Sequence, residues 1–124
     1  MAVSYYSIDG FQNILLWDSF VHSFLFSTTN IEIVLTVALE IGHPMYSAPR
    51  SGEYHCYRSA KLLVNQVTDI VEVHIKDGIW TDADEVKDFD CIHDVLLDGT
   101  SCRIVGPWGV VHVHALSAPT LEIK

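Results

Sequence analysis

The alternation of hydrophobic and polar positions is clearest between Ile31 and Ile41 (IEIVLTVALEI). Successive side chains of a β-strand point to opposite faces, and every second residue here, from Ile31 through Leu35 to Ile41, is a large aliphatic one. Glu32 and Glu40 lie on the other face, near its two ends. The pattern predicts one long strand with a fully apolar face directed toward a core.

The preceding segment, Asp18–Ser27 (DSFVHSFLFS), alternates in the same way. Phe20, Phe24 and Phe26 share one face, which we expect to be the core side. Polar turn residues (STTN) separate this segment from Ile31–Ile41. Two alternating segments joined by a short polar turn predict an antiparallel hairpin.

The remaining chain contains several shorter apolar segments separated by turn signals. Asp98-Gly99 and Gly106–Gly109 are typical of hairpin turns, whereas the proline- and glycine-containing stretch Gly42–Tyr54 indicates a surface loop. Pro119 precedes a predicted edge strand at the end of the chain. The predicted strands are Cys56–Val64, Ile70–Ile75, Cys91–Leu97, Ser101–Val105, Val110–Leu116 and Leu121–Lys124.

Two segments have helical features. Phe11–Trp17 places Phe11, Ile14 and Leu15 at helical spacing, which predicts one or two helical turns. Thr81–Phe89 reads equally well as a short helix with acidic residues in its first turn or as an acidic loop. The fold class is therefore mainly β, in one domain spanning residues 1–124: an antiparallel β-sandwich or a strongly twisted, partly closed sheet with one or two short helices.

The charge balance narrows the possible partners. Sixteen acidic residues stand against seven basic ones, giving a net charge of −9. Because this charge opposes a phosphate backbone, we expect no nucleic-acid binding. We also expect no membrane association, since no apolar run approaches the roughly 18 residues of a spanning helix. An acidic surface suits a basic protein partner.

The first residues lack the basic region of a secretory signal, and the cysteines have the usage of an intracellular protein. Cys56, Cys91 and Cys102 are odd in number and far apart in sequence, which favours buried, reduced thiols over a disulfide framework. Both features predict a cytoplasmic location.

Histidines provide the sharpest signal for site chemistry. His112 and His114 are two residues apart on a predicted strand and therefore project from one face, where both could bind a metal ion. Either His93-Asp94 or His22 would supply the third ligand from a neighbouring strand. The alternative is that these histidines line a solvated face while Val111, Val113 and Ala115 face the core. The sequence contains no nucleotide-binding loop and no nucleophile motif, so we expect no cofactor and no catalytic residues.

Aromatic residues beside turns and in the Gly42–Tyr54 loop are the features that favour a binding function. Tryptophan and tyrosine are enriched in interface hot spots. The apolar residues on both faces of Ile31–Ile41 further favour self-association, as a homodimer. The residues predicted to contact a protein partner are Tyr46, Arg50, Tyr54 and Trp108.

Part of the chain resembles small bacterial β-rich families of unknown function, some of which are immunity proteins of toxin systems. The resemblance covers Trp17–Leu63 and the terminal strand pair, and it rests on Trp17-Asp18-Ser19 at the start of a long strand and on Tyr57 followed by Ala60-Lys61-Leu62. The families often have a histidine where this chain has Trp17, so no role of that histidine is carried over. The resemblance implies a non-enzymatic protein that binds and neutralises a partner.

Overall fold

A computed structural model describes residues 2–76, 79–80 and 87–124 of the chain. The architecture is mainly β and antiparallel, as predicted. Within these residues the helical structure is one 3-10 turn, Tyr5–Ser7. The strands are β1 (Ile14–Phe26), β2 (Ile31–Leu39), β3 (Cys56–Val64), β4 (Val67–Ile75), β5 (Ile79–Trp80), β6 (Lys87–Asp88), β7 (Asp94–Asp98), β8 (Ser101–Gly106), β9 (Gly109–Ala115) and β10 (Thr120–Ile123).

The strands form two four-stranded sheets that share one hydrophobic core. The first sheet has the order β1-β2-β3-β10 and the second the order β4-β9-β8-β7, while β5 and β6 pair with each other. The core contains side chains from both sheets. Both predicted hairpin turns of the second sheet and the terminal edge strand are confirmed, as is the strand-free character of the Gly42–Tyr54 loop. No helix among the described residues has the length and apolar character needed to cross a membrane.

The strand β2 confirms the alternation on which the prediction rested. Ile31, Leu35 and Leu39 are buried, and β2 lies between β1 and β3 in the middle of its sheet. The prediction is wrong for Ile41, which is 81% exposed. The strand ends at Leu39: the Glu40 N–H still donates to the Asn13 carbonyl, and the chain turns from Ile41 onward.

The hairpin of β1 and β2 is confirmed, but the prediction that the phenylalanine face points to the core is wrong for Phe20. Two register shifts interrupt the pairing with β2, one between Leu15 and Phe20 and one between Val21 and Ser23. Each shift inserts an odd number of residues and so moves the following side chains to the opposite face. Between the two shifts Val21 is therefore buried and Phe20 is exposed. The second shift returns Phe24 and Phe26 to the core side, where Phe24 packs against the core and Phe26, the last residue of β1, is 46% exposed.

The predicted helix at Phe11–Trp17 is also wrong, because β1 already begins at Ile14. Asn13 has a φ of 61°, a left-handed conformation that ends any right-handed helix at that point. Of the alternatives for Thr81–Phe89, residues 81–86 lie outside the described residues, and Lys87–Asp88 is a strand.

Trp108 fills the core beneath the turn between β8 and β9. It is 1% exposed, its indole N–H donates to the Cys91 carbonyl at 2.8 Å, and its ring contacts Phe24 at a centroid distance of 4.9 Å. A Cβ atom on Gly106 would lie 2.3 Å from the indole nitrogen, so only glycine leaves room for this ring. The prediction that Trp108 contacts a partner is therefore wrong.

Candidate functional site

A surface cleft of about 300 Å³ opens where the Gly42–Tyr54 loop passes the ends of β1 and β2. The segment after β2 supplies Glu40 and Ile41 to one wall, and the loop supplies Tyr46 and Tyr54. This cavity, here called the Tyr54 cleft, is lined by Leu15, Leu39, Glu40, Ile41, Tyr46, Tyr54 and His55.

Exposed aromatic side chains lie at the cleft and continue from it across the first sheet. Tyr54 is 92% exposed and Trp17, on β1, is 62% exposed. Trp17 stacks on His93 at a centroid distance of 4.1 Å, and Phe20 contacts Tyr57 at 5.9 Å. We call the set Trp17, Phe20, Tyr54, His55, Tyr57 and His93 the aromatic surface.

The cleft and the rest of the aromatic surface are connected through His55. His55 lines the cleft, its ring lies edge-on to Tyr57 at 5.9 Å, and its Nε2 lies 3.4 Å from the Asp18 carboxylate. Asp18 follows Trp17 in β1, so this contact brings the start of β1 beside the start of β3. Binding at the cleft would thus extend through His55 to Tyr57 and Phe20 on the neighbouring sheet face.

The electrostatic character of this surface is acidic. Glu40 lines the cleft itself, and Asp18 contacts a lining residue. Burial raises the pKa of the Tyr57 phenol, and the negative charges of Asp18 and Glu53 raise it further. A positive charge placed here would meet an attractive field, because the carboxylates of Asp18 and Glu53 act on Tyr57 and that of Glu40 lines the cleft.

Of the residues predicted to contact a partner, Tyr46 and Tyr54 are brought together in the cleft. Arg50 lies on the same loop but outside that lining, in a small crevice with Cys56, where its backbone N–H donates to Glu53. Sequence reasoning missed Ile41, Glu40, His55 and Trp17. Of these, only Trp17 was indicated by the sequence, because tryptophan beside a turn or at the end of an element is typical of interface hot spots.

The three predicted metal ligands have other contacts. His93 stacks on Trp17, while His112 Nε2 lies 2.8 Å from the Ser101 hydroxyl and His114 Nδ1 lies 2.9 Å from the Thr100 hydroxyl. The rings of His112 and His114 share a face of β9 with centroids 6.2 Å apart. Within the described part of the chain, no group of three or more histidine, cysteine or acidic side chains is arranged to hold a metal ion.

All three cysteines are free and buried, as predicted, but Cys56 differs from the other two. The Ser47 N–H donates to its sulfur at 3.5 Å. Burial by itself raises the pKa of the Cys56 thiol, but hydrogen bonds from Ser47 and Arg58 outweigh it and lower the pKa below the ordinary value. Burial raises the pKa of Cys91 and of Cys102 to about 11.

We therefore predict that Cys56 is the first thiol to react with iodoacetamide in the native protein. Near neutral pH its thiolate fraction exceeds that of Cys91 and Cys102, so its alkylation is expected to be at least about tenfold faster. The alkylation rate of Cys56 should also reach its plateau at a lower pH than the rates of Cys91 and Cys102, because a thiol with a lower pKa is fully ionised at a lower pH. Peptide mass spectrometry over a time course measures all three rates.

The control is Ser47→Ala, which removes the hydroxyl but keeps the backbone donor and is expected to slow Cys56 alkylation. Simultaneous modification of all three thiols would contradict the prediction, since it would show that only global unfolding exposes them.

Comparisons of this chain with protein-family models, with curated proteins and with solved structures find no match. The functional interpretation therefore rests on the chemistry of the described residues.

Proposed function

We propose that this protein is a non-catalytic binding protein whose Tyr54 cleft and aromatic surface contact a basic protein partner. The observation that supports it is the exposure of Tyr54 (92%) and Trp17 (62%) beside carboxylates. Exposed tyrosine and tryptophan supply large rigid contact area at low entropic cost, which is why they dominate interface energetics.

The shape and charge of the cleft suit a lysine or arginine side chain. The apolar stem of such a residue would pack on Leu15 and Ile41, while its cationic head would meet Glu40 and the face of an aromatic ring. A cation over an aromatic ring contributes about 0.5–2 kcal/mol. The net charge of −9 would further accelerate association with a basic partner.

This proposal includes the immunity-type role that the sequence resemblance implies: neutralisation of a basic toxin in the bacterial cytoplasm. Three free cysteines are consistent with a reducing compartment. An acidic binding protein that covers the functional surface of a basic toxin needs complementarity to its target and no chemistry of its own.

The test is capture of a partner from a lysate of the source cells, with tagged protein as bait. We expect a basic protein to bind the wild-type chain and to be lost with Tyr54→Ala and with Trp17→Ala, each lowering affinity by at least about tenfold. The matched control is Tyr6→Ala, because Tyr6 is also an exposed tyrosine but lies outside the aromatic surface.

Binding should also weaken as salt concentration rises, because screening shortens the range of the acidic field. A captured partner that binds Tyr54→Ala and Trp17→Ala as tightly as the wild type would overturn the assignment of this surface. An acidic partner would overturn the assignment of its chemistry.

A further inference from the structure

Among the residues that the structure describes, the strand β4 forms an open edge of the second sheet. It is hydrogen-bonded to β9 on one side, and it ends the strand order β4-β9-β8-β7 among the described residues. The Lys76 N–H donates to the Trp108 carbonyl at 2.7 Å, so the backbone of Lys76 is directed at the β9 side. In an antiparallel strand the backbone N–H and C=O groups of successive residues alternate between the two sides of the strand. The backbone groups of His74 are therefore also directed at β9, whereas those of Val73 and Ile75 are directed at the open edge.

The same edge exposes aliphatic side chains on the core side of the sheet. Ile70 and Val73 pair in register with Val113 and Val111, which are fully buried. Yet Ile70 is 56% exposed, Val73 is 38% exposed, and the neighbouring Val71 is 50% exposed. The inner face of the second sheet thus extends beyond the area that the first sheet covers. The apolar side chains of β4 on this face are therefore exposed to solvent.

The sequence of β4 is complementary to itself when two copies run antiparallel about a twofold axis at Val73. Val73 then faces Val73 of the other copy, and Glu72 faces His74. A register shift between Ile70 and Glu72 inserts one residue, so Ile75 falls opposite Ile70 and Val71. Beyond this shift Lys76 falls opposite Asp69.

This register matches side chains on both faces of the paired strands. Apolar residues meet apolar residues on the core side, and each acidic residue meets an imidazole or an ammonium group on the outer side. An axis one residue away, at Glu72, would place two carboxylates directly opposite each other, which is destabilising. The charge pattern therefore favours the axis at Val73 over the axis at Glu72, and it makes a second copy of this strand a complementary occupant of the edge.

We propose that a second copy of this chain adds to the open edge of β4, joining the two β4 strands into one continuous eight-stranded sheet. The N–H and C=O groups of Val73 would make the central pair of hydrogen bonds, and the aliphatic side chains of the two edges would cover each other. This inference is independent of the proposed function, because β4 belongs to the other sheet from the strands of the aromatic surface.

The test is the mass of the full chain by light scattering and sedimentation over a wide concentration range. We expect a monomer–dimer equilibrium in which Val73→Lys raises the dimer dissociation constant at least about tenfold, because the axis then places two ammonium groups opposite each other. The matched control is Leu116→Lys, which introduces the same charge at an exposed leucine outside β4 and is expected to leave the dimer unchanged. Thermal unfolding confirms that each variant folds.

A charge exchange tests the register itself. Glu72→Lys and His74→Glu are each expected to weaken the dimer. Glu72→Lys removes the carboxylate that can accept a hydrogen bond from the imidazole of the other copy, and His74→Glu places two carboxylates opposite each other across the axis. The double variant restores a complementary pair and is expected to recover at least half of the lost association free energy. A wild-type chain that is monomeric at every concentration, or a dimer that Val73→Lys does not weaken, would overturn the proposal.

Discussion

Replacing Trp108 with alanine is expected to lower the free energy of unfolding by about 3–5 kcal/mol, a large part of the stability of a domain of this size. The substitution removes a ring that is 1% exposed, and it leaves a cavity against Phe24. It also removes the donor that satisfies the Cys91 carbonyl. Chemical denaturation followed by far-ultraviolet circular dichroism, which reports on the backbone, measures the loss in the free energy of unfolding.

Two further variants separate the causes. Trp108→Phe keeps much of the apolar volume but cannot donate to Cys91, so it is expected to cost less than alanine while still destabilising by about 1–3 kcal/mol. Trp17→Ala is the matched control, because Trp17 is largely exposed and its loss is expected to cost less than about 1 kcal/mol. Equal losses for Trp108→Ala and Trp17→Ala would contradict the core position of Trp108.

Replacing Gly109 with alanine is the second substitution for which we expect a large effect. Gly109 has a φ of 137°, and a Cβ atom there would lie 1.9 Å from the His74 carbonyl oxygen of β4. The side chain would impose backbone strain and would also force β4 away from β9. We expect a loss of about 3 kcal/mol or more in the free energy of unfolding, with hydrogen exchange increased mainly in those two strands.

Gly10→Ala is the control for this prediction. Gly10 also has a positive φ, 91°, but nothing lies within 4 Å of a Cβ atom built on it. Only the strain of the left-handed backbone then remains, about 1–2 kcal/mol. If both alanine variants lose the same stability, the close approach of His74 to Gly109 is not the cause.

The strands whose registers are regular could be predicted from alternation alone. β2 pairs with β3 along its whole length without a register shift, and the extra residues at the shifts of the β1–β2 pair all belong to β1, so the period of two in β2 is kept. β3 was predicted with its observed bounds for the same reason. In β1 the prediction of the buried face was wrong for Phe20, because the two register shifts of this strand depend on how it pairs with β2 and cannot be recognised in a single segment.

The candidate site was predictable only in part. The loop composition indicated Tyr46 and Tyr54, since prolines and glycines keep this segment at the surface. The contact of Asp18 with His55 joins segments far apart in sequence, and no local pattern indicates it. Trp108 shows the opposite error: its place beside a turn was correct, but whether its ring points outward or inward depends on the space left by Gly106.

By itself, the sequence determined a mainly β antiparallel chain, its hairpin turns, its reduced thiols and its acidic surface charge. These properties follow from alternation, turn chemistry and composition, which act between residues close in sequence or over the chain as a whole. Only the tertiary structure determined which aromatic residues are exposed, how far apart the histidines lie and which strands end the two sheets in the described part of the chain. These depend on strand order and register, which are set by packing between distant segments.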